Sequence, residues 1–496
     1  MDFITPFTPA LAEAFLLVMV CVILLVDVFL ADAQRWITYT LTMATLLGCF
    51  LITGFTDWNG DIYTFSGMFI ADALANMLKM AIYITVAIVL VYSKAYIKAR
   101  EMFRGEFFVL ALFATLGMMV MVSANNLLTL YLGLELMSLS LYAMIALQRD
   151  SAVATEAAMK YFVLGALASG LLLYGMSMMY GATGTLDLAQ MSDVIDSDNA
   201  DTTILLFSLV FILAGLGFKL SAVPFHMWVP DVYQGAPTAV TLFIGSAPKL
   251  AAFGFLIRLL VTGLGADFLV VQWQWMLIIM TVLSLAIGNI TAIAQSNLKR
   301  MLAYSTISHA GFLLLGVLAG VVNNDATTFA ANAYSSAMFY IITYVLTTLA
   351  TFGVILLLAK EGFESEEITD LAGLNQRSPL YAGVMAICLF SLAGVPPMVG
   401  FYAKLSVLQA LIASGQAGSL ALAVFAVLMS LIGAFYYLRV IKVMYFDDPI
   451  TATTVTAGQD VRVVLSINGA LVLILGLMPG GLMGLCASSI VQSLGT

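Results

Sequence analysis

Apolar segments long enough to cross a lipid bilayer follow one another through this chain, with only short connections between them. An α-helix needs about 20 apolar residues to span the hydrocarbon core. Only 9% of the 496 residues are charged and 62% are hydrophobic, whereas about 25% are charged in soluble domains. The sequence therefore predicts an all-α polytopic membrane protein. We expect fourteen transmembrane helices, at residues 9–30, 36–54, 77–95, 105–122, 126–147, 157–180, 203–235, 238–262, 269–294, 302–322, 330–359, 378–416, 420–443 and 463–488.

Several further features narrow the class of protein. The formal net charge of −9 argues against a nucleic-acid partner. No glycine-rich phosphate-binding motif occurs in the sequence. Residues 9–30 are expected to be a retained helix rather than a signal peptide, because no basic region precedes them. The cysteines lie singly in apolar segments, so neither a disulfide framework nor an iron–sulfur or zinc site is predicted at Cys21, Cys49, Cys388 or Cys486.

The connections between the segments alternate in charge. Basic residues remain on the cytoplasmic side of a membrane, so we expect both termini on the outer side. One set of connections carries the basic residues Arg35, Lys94, Lys98, Arg100, Arg104, Arg149, Lys299, Arg300, Lys360, Arg377, Lys442 and Arg462. The other set has no lysine or arginine and carries Asp57, Asp61, Asp187, Asp193, Asp196, Asp198, Asp201 and Asp325.

The seventh and twelfth segments are too long for simple crossings, and each has prolines in its interior. Pro224 and Pro230 interrupt the seventh segment, and Pro396 and Pro397 interrupt the twelfth. Proline removes a helical hydrogen bond and clashes with the preceding turn. The freed backbone groups must find protein or water, because lipid offers them no partner. We therefore expect broken seventh and twelfth helices at membrane depth.

The two breaks have similar local sequences. LSAVPFH at 220–226 matches LAGVPPM at 392–398 in three positions, each 172 residues apart. This offset aligns the seventh segment with the twelfth. The two are five segments apart, an odd number, so two repeats related by this offset have opposite orientations in the membrane. Inverted repeats with paired broken helices are typical of transporters. Within a single membrane domain, 1–496, we expect an N-terminal three-helix segment, two inverted five-helix repeats and a C-terminal helix, at 1–95, 105–262, 269–446 and 463–488.

Seven lysines and arginines fall inside the predicted segments. Four of them lie near a segment end: Lys79, Arg258, Lys160 and Arg439. Long basic side chains in such positions can extend to the lipid headgroups. We expect that arrangement for these four residues.

Three lysines and one glutamate are predicted to lie deep in the membrane, at Lys219, Lys249, Lys404 and Glu135. An ionised group at the bilayer centre costs at least about 2.5–3.5 kcal/mol on insertion scales. An ion pair between Glu135 and Lys219 would explain two of these charges but not the other two. Burial disfavours the charged form of a lysine and a nearby carboxylate favours it, whereas an arginine remains charged. The set is therefore predicted to store and pass protons.

The chain contains two histidines. His309, about two turns into the tenth segment, could bridge Lys249 to Lys404 or could simply pack in the interior. His226 lies in the first break, where it could orient the connector or satisfy its free carbonyl groups. The acidic run EGFESEEITD at 361–370 is expected to be a solvated loop or a surface helix.

Four stretches, in this order, together resemble the antiporter-like membrane subunits of respiratory complex I: GFKLSAVPFHMWVPDVYQGAPT, SAPKLAAF, NLKRMLAYSTISHAGF and GVPPMVGFYAKL. The resemblance covers essentially the whole chain. The pattern is most similar to subunit N of bacterial NADH:quinone oxidoreductase, the counterpart of mitochondrial subunit 2. Lys404 favours the N type, because M-type subunits carry a glutamate at that position.

The resemblance implies a role for each buried residue. It assigns Glu135 and Lys219 to loading a proton from the cytoplasmic side, Lys249 and His309 to a central relay, and Lys404 to the terminal position. The sequence leaves open whether Lys404 passes the proton onward or outward. The resemblance also implies NADH, FMN, iron–sulfur clusters and quinone in partner subunits, with no cofactor in this chain.

The expected function is therefore proton translocation by a membrane-arm subunit of NADH:quinone oxidoreductase, without a redox site of its own. The expected location is the bacterial inner membrane, with both termini on the periplasmic side. The expected partners are the antiporter-like subunit M, the small subunits A, J and K, and membrane lipid. One alternative is a subunit of a multi-subunit cation/proton antiporter, which shares the fold and the lysines. Another is a purely structural membrane scaffold.

Overall fold

A computed structural model describes residues 5–56, 60–197, 200–320, 327–359, 364–449 and 457–494. Asp57, Asp198, Asp325 and Lys360, which the sequence places in connections, lie outside these ranges. Within them the chain is almost entirely helical. Thirteen helices are long and apolar enough to cross a bilayer. Two shorter apolar helices, Pro379–Ala393 and Val399–Ala413, lie where the sequence predicts the twelfth crossing. The described residues therefore confirm an all-α polytopic membrane protein.

The N-terminal part contains three long helices and a β-hairpin that the sequence did not indicate. The elements are α1 (Leu11–Val28), α2 (Trp36–Phe55), β1 (Ile62–Thr64), β2 (Phe69–Ala71) and α3 (Ala73–Ala99). The two strands pair in antiparallel register, with Ile62 opposite Ala71. Asp72 then begins α3, because its carboxylate accepts a hydrogen bond from the backbone N–H of Ala75 at 2.9 Å.

The first five crossings after this part include the first broken helix. Their helices are α4 (Gly105–Val122), α5 (Leu127–Ile145), α6 (Ala152–Thr183), α7 (Leu188–Asp196), α8 (Thr202–Leu220), α9 (Trp228–Gly235), α10 (Thr238–Gly245) and α11 (Ala247–Leu256). Of these, α7 is a short helix in a connection. The seventh crossing is broken as predicted, because α8 ends at Ser221 and the chain resumes as α9.

The second set of five crossings contains the second broken helix, formed by α16 and α17. The helices are α12 (Asp267–Ile293), α13 (Leu298–Leu318), α14 (Thr327–Leu358), α15 (Leu374–Arg377), α16 (Pro379–Ala393), α17 (Val399–Ala413) and α18 (Ser419–Phe446). The chain ends in α19 (Gln459–Leu477) and α20 (Gly480–Leu494). The single C-terminal helix expected at 463–488 is thus two helices, separated by Met478 and Pro479. Pro479 interrupts the helix because it has no backbone N–H to donate.

The two breaks share one backbone conformation, but at an offset of 173 residues rather than 172. Ser221 and Gly394 each end a helix in the left-handed conformation, with φ of 68° and 86°. The same backbone hydrogen bonds follow: Ala222 donates to Gly217 at 2.9 Å, and Val395 donates to Phe390 at 3.0 Å. The three sequence identities are therefore one residue out of structural register, although both breaks lie where the prolines predict them.

The eighth crossing, predicted as one helix at 238–262, is divided at Ser246 into α10 and α11. The Ser246 backbone is not helical, with φ of −120° and ψ of −93°. Pro248 has no N–H to donate and lies in the first turn of α11, where none is needed. Beyond α11 the chain continues as a π-helical turn, Ile257–Gly263. Lys249 consequently lies in the first turn of a helix rather than in the middle of one.

Glycines allow the backbones of neighbouring helices to pack close together. A Cβ atom added to Gly117 of α4 would lie 2.5 Å from the backbone nitrogen of Met137 in α5. One added to Gly288 of α12 would lie 2.7 Å from the backbone nitrogen of Ser308 in α13. Such close packing is typical of membrane helices, where small residues let backbones approach. The two contacts position α5 and α13, the helices that carry Glu135 and His309.

Candidate functional site

Lys219 and Glu135 lie near each other in the first repeat without forming an ion pair in the described structure. Lys219 is 8% exposed, and its ammonium donates to the Ser138 hydroxyl at 2.7 Å. Glu135 accepts a hydrogen bond from Ser169 at 2.5 Å, and Ser169 also contacts the Tyr131 hydroxyl at 3.0 Å. Ser138 follows Glu135 by three residues, so both lie on one face of α5. Lys219 is therefore hydrogen-bonded to Ser138 rather than paired directly with Glu135, the ion pair that the sequence suggested.

Lys249 is bonded to the first break itself. Its ammonium donates to the hydroxyl of Ser221, the residue that ends α8, at 2.5 Å. The same nitrogen lies 5.8 Å from the centre of the Trp228 ring in α9, within the range of a cation–π contact. Lys249 is only 6% exposed. The break therefore supplies the partner of the central lysine, and both halves of the broken helix contact it.

Lys404 has a comparable place at the second break. Its ammonium donates to the backbone oxygens of Leu392 and Ala393, at 2.9 and 3.1 Å, and to the Ser430 hydroxyl at 2.8 Å. The two carbonyl groups belong to the last turn of α16, where they have no helical partner. Phe312 of α13 lies beneath the ammonium, with 5.1 Å between the nitrogen and the ring centre. All three protons of the ammonium group are therefore hydrogen-bonded.

Each of the three lysines donates to a serine hydroxyl, and none forms an ion pair with another described residue. A hydroxyl can both accept and donate, so it can remain bonded to either an ammonium ion or a neutral amine. Helix ends add a second distinction. Lys219 lies in the last turn of α8, and the ammonium of Lys404 contacts the C-terminal end of α16; a positive charge is favourable at both places. Lys249 lies in the first turn of α11, which disfavours its charge, while its ammonium donates to Ser221 at the C-terminal end of α8, which favours it. The arrangement suits lysines that change protonation state.

His309 is held by tyrosines rather than by the lysines. Its Nδ1 lies 2.6 Å from the Tyr340 hydroxyl and its Nε2 lies 3.2 Å from the Tyr437 hydroxyl. The ring of Tyr344 packs 4.7 Å from the imidazole, centre to centre. The histidine is 7% exposed. It therefore belongs to a buried hydroxyl network in the second repeat, and it does not bridge Lys249 to Lys404 directly.

His226 lies apart from this network. It is half-buried in the connector between α8 and α9, next to Met227, which is 73% exposed. Its backbone oxygen accepts a hydrogen bond from the N–H of Val229 at 2.9 Å. This backbone contact lies at the start of α9 and does not involve the imidazole, so both expected roles of the His226 side chain stay predictions.

Two of the lysines and arginines expected to reach the headgroups are instead buried in ion pairs. Lys79 is 2% exposed and lies 2.5 Å from the carboxylate of Glu13 in α1. Arg258 is also 2% exposed and lies 2.6 Å from Asp72, and it donates to the Val122 carbonyl at 3.3 Å. The expectation was wrong for these two residues because an acidic side chain from another helix lies at the same depth.

The other two basic residues expected to reach the headgroups, Lys160 and Arg439, have different kinds of partner. Lys160 keeps 43% of its side chain exposed and pairs with Glu156 and Asp231, at 2.9 and 2.8 Å. Arg439 instead donates to the carbonyls of Ile293 and Gln295 at the end of α12, at 2.9 and 2.5 Å. Those carbonyl groups end a helix and lack helical partners, so Arg439 is a helix cap.

The acidic run before α15 ends in a short, partly exposed 3₁₀ helix, Ile368–Leu371, which fits the expected surface helix, although other residues of the run pack onto the transmembrane helices. Residues 360–363 lie outside the described ranges. Lys299 at the start of α13 is 1% exposed. It lies 2.7 Å from the carboxylate of Glu366 and donates to the Ala236 carbonyl at 3.1 Å. Ser365 and Leu371 are buried. The run is therefore tied to the junction between α9 and α10.

An open cavity lies beside this run. It measures about 530 Å³ and extends from Glu364, Glu366 and Glu367 to Ala236 and Pro237, which precede α10. Its lining includes Tyr96 and Gln148, which lie close in sequence to the basic residues Arg100 and Arg149. Within the described residues, no group of three or more His, Cys, Asp or Glu side chains could hold a metal ion. The cavity offers water a path to the start of the helix pair that carries Lys249.

Comparisons with known proteins agree with this architecture. The family model described as NADH:quinone oxidoreductase/Mrp antiporter, TM, matches residues 124–433. NADH-quinone oxidoreductase subunit N of Nitrosomonas europaea is 60% identical over the full length of both chains. The subunit N of Herminiimonas arsenicoxydans is 60% identical over 98% of each chain.

Solved structures have the same fold. A chain of respiratory complex I from Thermus thermophilus superposes with a TM-score of 0.80 at 31% identity, covering 96% of this chain and 99% of that one. A chain of the Mrp complex from Dietzia sp. DQ12-45-1b has a TM-score of 0.80 at 22% identity and covers 97% of each chain, which supports the fold alone. With full-length relatives at 60% identity, the chain belongs to the family of subunit N of NADH-quinone oxidoreductase.

Proposed function

We propose that this chain is a proton-translocating subunit of the membrane arm of NADH-quinone oxidoreductase, respiratory complex I. Its family membership supports that assignment. The observation that carries the mechanism is the set of three buried lysines, each bonded to a serine hydroxyl and, within the described parts of the chain, to no carboxylate. Such lysines can release and regain a proton without losing their hydrogen-bond partner. Redox chemistry in other subunits would drive the transfer.

The proposed route begins on the side of the basic connections, which we take to be cytoplasmic. The cavity beside Glu366 admits water there. Glu135 and Lys219 load a proton, Lys249 passes it between the repeats, and His309 and Lys404 receive it in the second repeat. Lys249 is the proposed transfer point, because it lies between two opposing helix ends: the first turn of α11 disfavours its charge, and the C-terminal end of α8 at Ser221 favours it.

The setting of the proposed function is a bacterial inner membrane, with both termini on the periplasmic side. The partners would be the antiporter-like subunit M and the small subunits A, J and K, with lipid around the remaining surface. NADH, FMN, the iron–sulfur clusters and quinone would be bound by other subunits. The relay within this chain therefore consists of protonatable side chains and the water between them.

Replacing Lys219 or Lys404 by alanine tests the proposal in the assembled complex. We expect each change to lower NADH-driven proton transport into inside-out membrane vesicles about 100-fold, because a proton-transfer group is lost. Asp150→Asn is the matched control, since it removes an exposed charge from a basic connection without touching the lysines. Normal transport in both lysine variants, with normal assembly, would leave only a structural scaffold role.

The same vesicles distinguish the proposed function from the antiporter alternative, which is tested because a chain of the Mrp complex shares this fold. Without NADH, an imposed sodium gradient should move no protons through this chain. Proton movement driven by sodium and lost in Lys219→Ala would favour the antiporter function over the proposed one.

A further inference from the structure

Two cavities of opposite charge adjoin on the side of the basic connections. The basic cavity measures about 370 Å³, and three arginines line it: Arg100, Arg104 and Arg149. The acidic cavity is the open one of about 530 Å³, and four carboxylates line it: Glu364, Glu366, Glu367 and Asp370. Gln148 and Ser151 belong to both walls. Both volumes lie within the range of about 300–1,000 Å³ that is usual for small-molecule sites.

An ion pair joins the two cavities. The Nε atom of Arg100, in the basic wall, lies 2.5 Å from the carboxylate of Glu364, in the acidic wall, and the Arg100 side chain is 8% exposed. The guanidinium lies over the ring of Tyr96, 4.1 Å from its centre. The Tyr96 hydroxyl donates to the same carboxylate at 2.8 Å. Groups of both signs are therefore held next to each other along this boundary.

The other two arginines of the basic cavity are available to a ligand. Arg104 and Arg149 are exposed, and within the part of the chain that the structure describes their side chains form no ion pair and no hydrogen bond. Guanidinium groups bind phosphate through paired hydrogen bonds. The same wall also carries carboxylates, among them Glu101 and Glu106. A ligand with charges of both signs fits this wall better than a simple anion does.

The acidic cavity has polar groups to spare as well. Glu367 is exposed, and Glu364 keeps 35% of its side chain exposed. Ser365 also lines this cavity and is only 2% exposed. Its hydroxyl has no hydrogen-bond partner among the described residues, and buried hydroxyl groups normally have one. An ammonium group has three N–H donors and no acceptor, so carboxylates and a hydroxyl oxygen together suit it.

The apolar part of the basic cavity favours a lipid over a free phosphate ion. Three apolar side chains complete its wall: Met102, Phe107 and Leu147. The arginines belong to connections that follow or precede membrane-spanning helices, at the level of the lipid headgroups. Basic pockets at this level bind phospholipid headgroups. The glycerol and the first acyl carbons of a lipid would contact the apolar wall, whereas a phosphate ion gains nothing from it.

We propose that the two cavities together bind the headgroup of a phospholipid that carries both a phosphate and a primary ammonium group, as phosphatidylethanolamine does. The phosphate lies against Arg104 and Arg149. The ammonium group lies beside Glu364 and Glu367, and the short linker between the two charges lies along Gln148 and Ser151. The headgroup fills only the part of the acidic cavity next to Glu364, so water enters the remainder. This lipid site goes beyond the proposed function and does not depend on the proton relay.

The first test is a density map of the assembled complex in nanodiscs of phosphatidylethanolamine and phosphatidylglycerol. We expect headgroup density in contact with Arg104 and Arg149, extending towards Glu364. We expect this density to be lost in nanodiscs of phosphatidylglycerol alone, which has no ammonium group. Ordered arginine side chains beside an empty basic cavity would overturn the proposal, and equal density in both kinds of nanodisc would show that the ammonium group is not recognised.

The second test counts the lipid that the complex retains after purification in detergent. Arg104→Gln combined with Arg149→Gln should retain one phosphatidylethanolamine molecule fewer per complex, because the phosphate loses both guanidinium partners. Arg462→Gln is the matched control, since Arg462 is an exposed arginine of another basic connection and lines neither cavity. Retention by the double variant equal to that of the control contradicts the proposal. If the double variant does not assemble, Arg149→Gln alone decides by the same count.

The third test separates a lipid site from a free anion site. Adding phosphatidylethanolamine to the delipidated complex in detergent should raise its melting temperature more in the unchanged protein than in the double variant, because a ligand stabilises the state that binds it. Inorganic phosphate should give no such difference between the two proteins. An equal difference with inorganic phosphate would identify a free anion site and overturn the assignment to a lipid.

Discussion

Replacing Lys249 by arginine should reduce NADH-driven proton transport about 100-fold, even though the positive charge is kept. Lys249 donates to Ser221 and lies at the N-terminal end of α11, so its environment accommodates a group that can lose its proton. Arginine stays protonated under all relevant conditions, and it would hold the central position permanently charged. Lys249→Ala should cause a similar loss, because no proton acceptor remains. Transport and NADH oxidation are measured together in inside-out vesicles.

The same substitution at Lys79 is the control for this result. Lys79 is as deeply buried as Lys249, but it is paired with Glu13 at 2.5 Å and its charge is part of the structure. Lys79→Arg should therefore transport protons at nearly the normal rate. If Lys249→Arg also transports normally, the central position needs only a positive charge, and proton release by Lys249 is not part of the mechanism.

Arg258→Ala should destabilise the folded chain by about 3–5 kcal/mol, the usual result of removing one partner from a buried ion pair. Asp72 is fully buried and would keep a charge without its partner. The Val122 carbonyl would also lose the hydrogen bond from Arg258. We expect a lower level of assembled complex, measured by native electrophoresis, and a lower melting temperature of the detergent-solubilised complex.

A double variant distinguishes the ion pair from simple loss of packing. Arg258→Ala combined with Asp72→Ala should be less destabilising than the sum of the single changes, because no unpaired charge remains. Lys160→Ala, which breaks a partly exposed pair, should leave the melting temperature nearly unchanged. A melting temperature for Arg258→Ala equal to that of the unchanged complex would show that the pair contributes nothing to stability.

Much of the membrane topology could be predicted because it depends on composition over short windows. Each crossing needs about 20 apolar residues, and the structure has helices at all fourteen predicted places. The breaks near Pro224 and Pro397 could also be predicted, since proline interrupts a helix wherever it occurs in the interior. Pro248 was a similar signal for the interruption at Ser246, which the expectation of one continuous helix overlooked.

The hydrogen-bond partners in the candidate site could not be predicted in the same way. Ser138, Ser221 and Ser430 are ordinary serines in the sequence, and each is separated from its lysine by tens of residues. Which of many serines meets a lysine depends on how helices pack and at what depth. The same applies to Glu13 and Asp72, whose pairing with Lys79 and Arg258 follows from contacts between helices.

The sequence by itself determined that this chain crosses a membrane, that its seventh and twelfth helices break, and that Lys219, Lys249 and Lys404 lie deep inside. These properties depend on the free energy of transferring side chains and backbone groups into lipid, and each residue contributes to that free energy almost independently. Only the tertiary structure decided the partners: a serine for Lys219, Lys249 and Lys404, and a carboxylate for the structural cations. The physical reason is that a buried charge takes its character from the groups within hydrogen-bond distance, and those groups are brought together by helix packing.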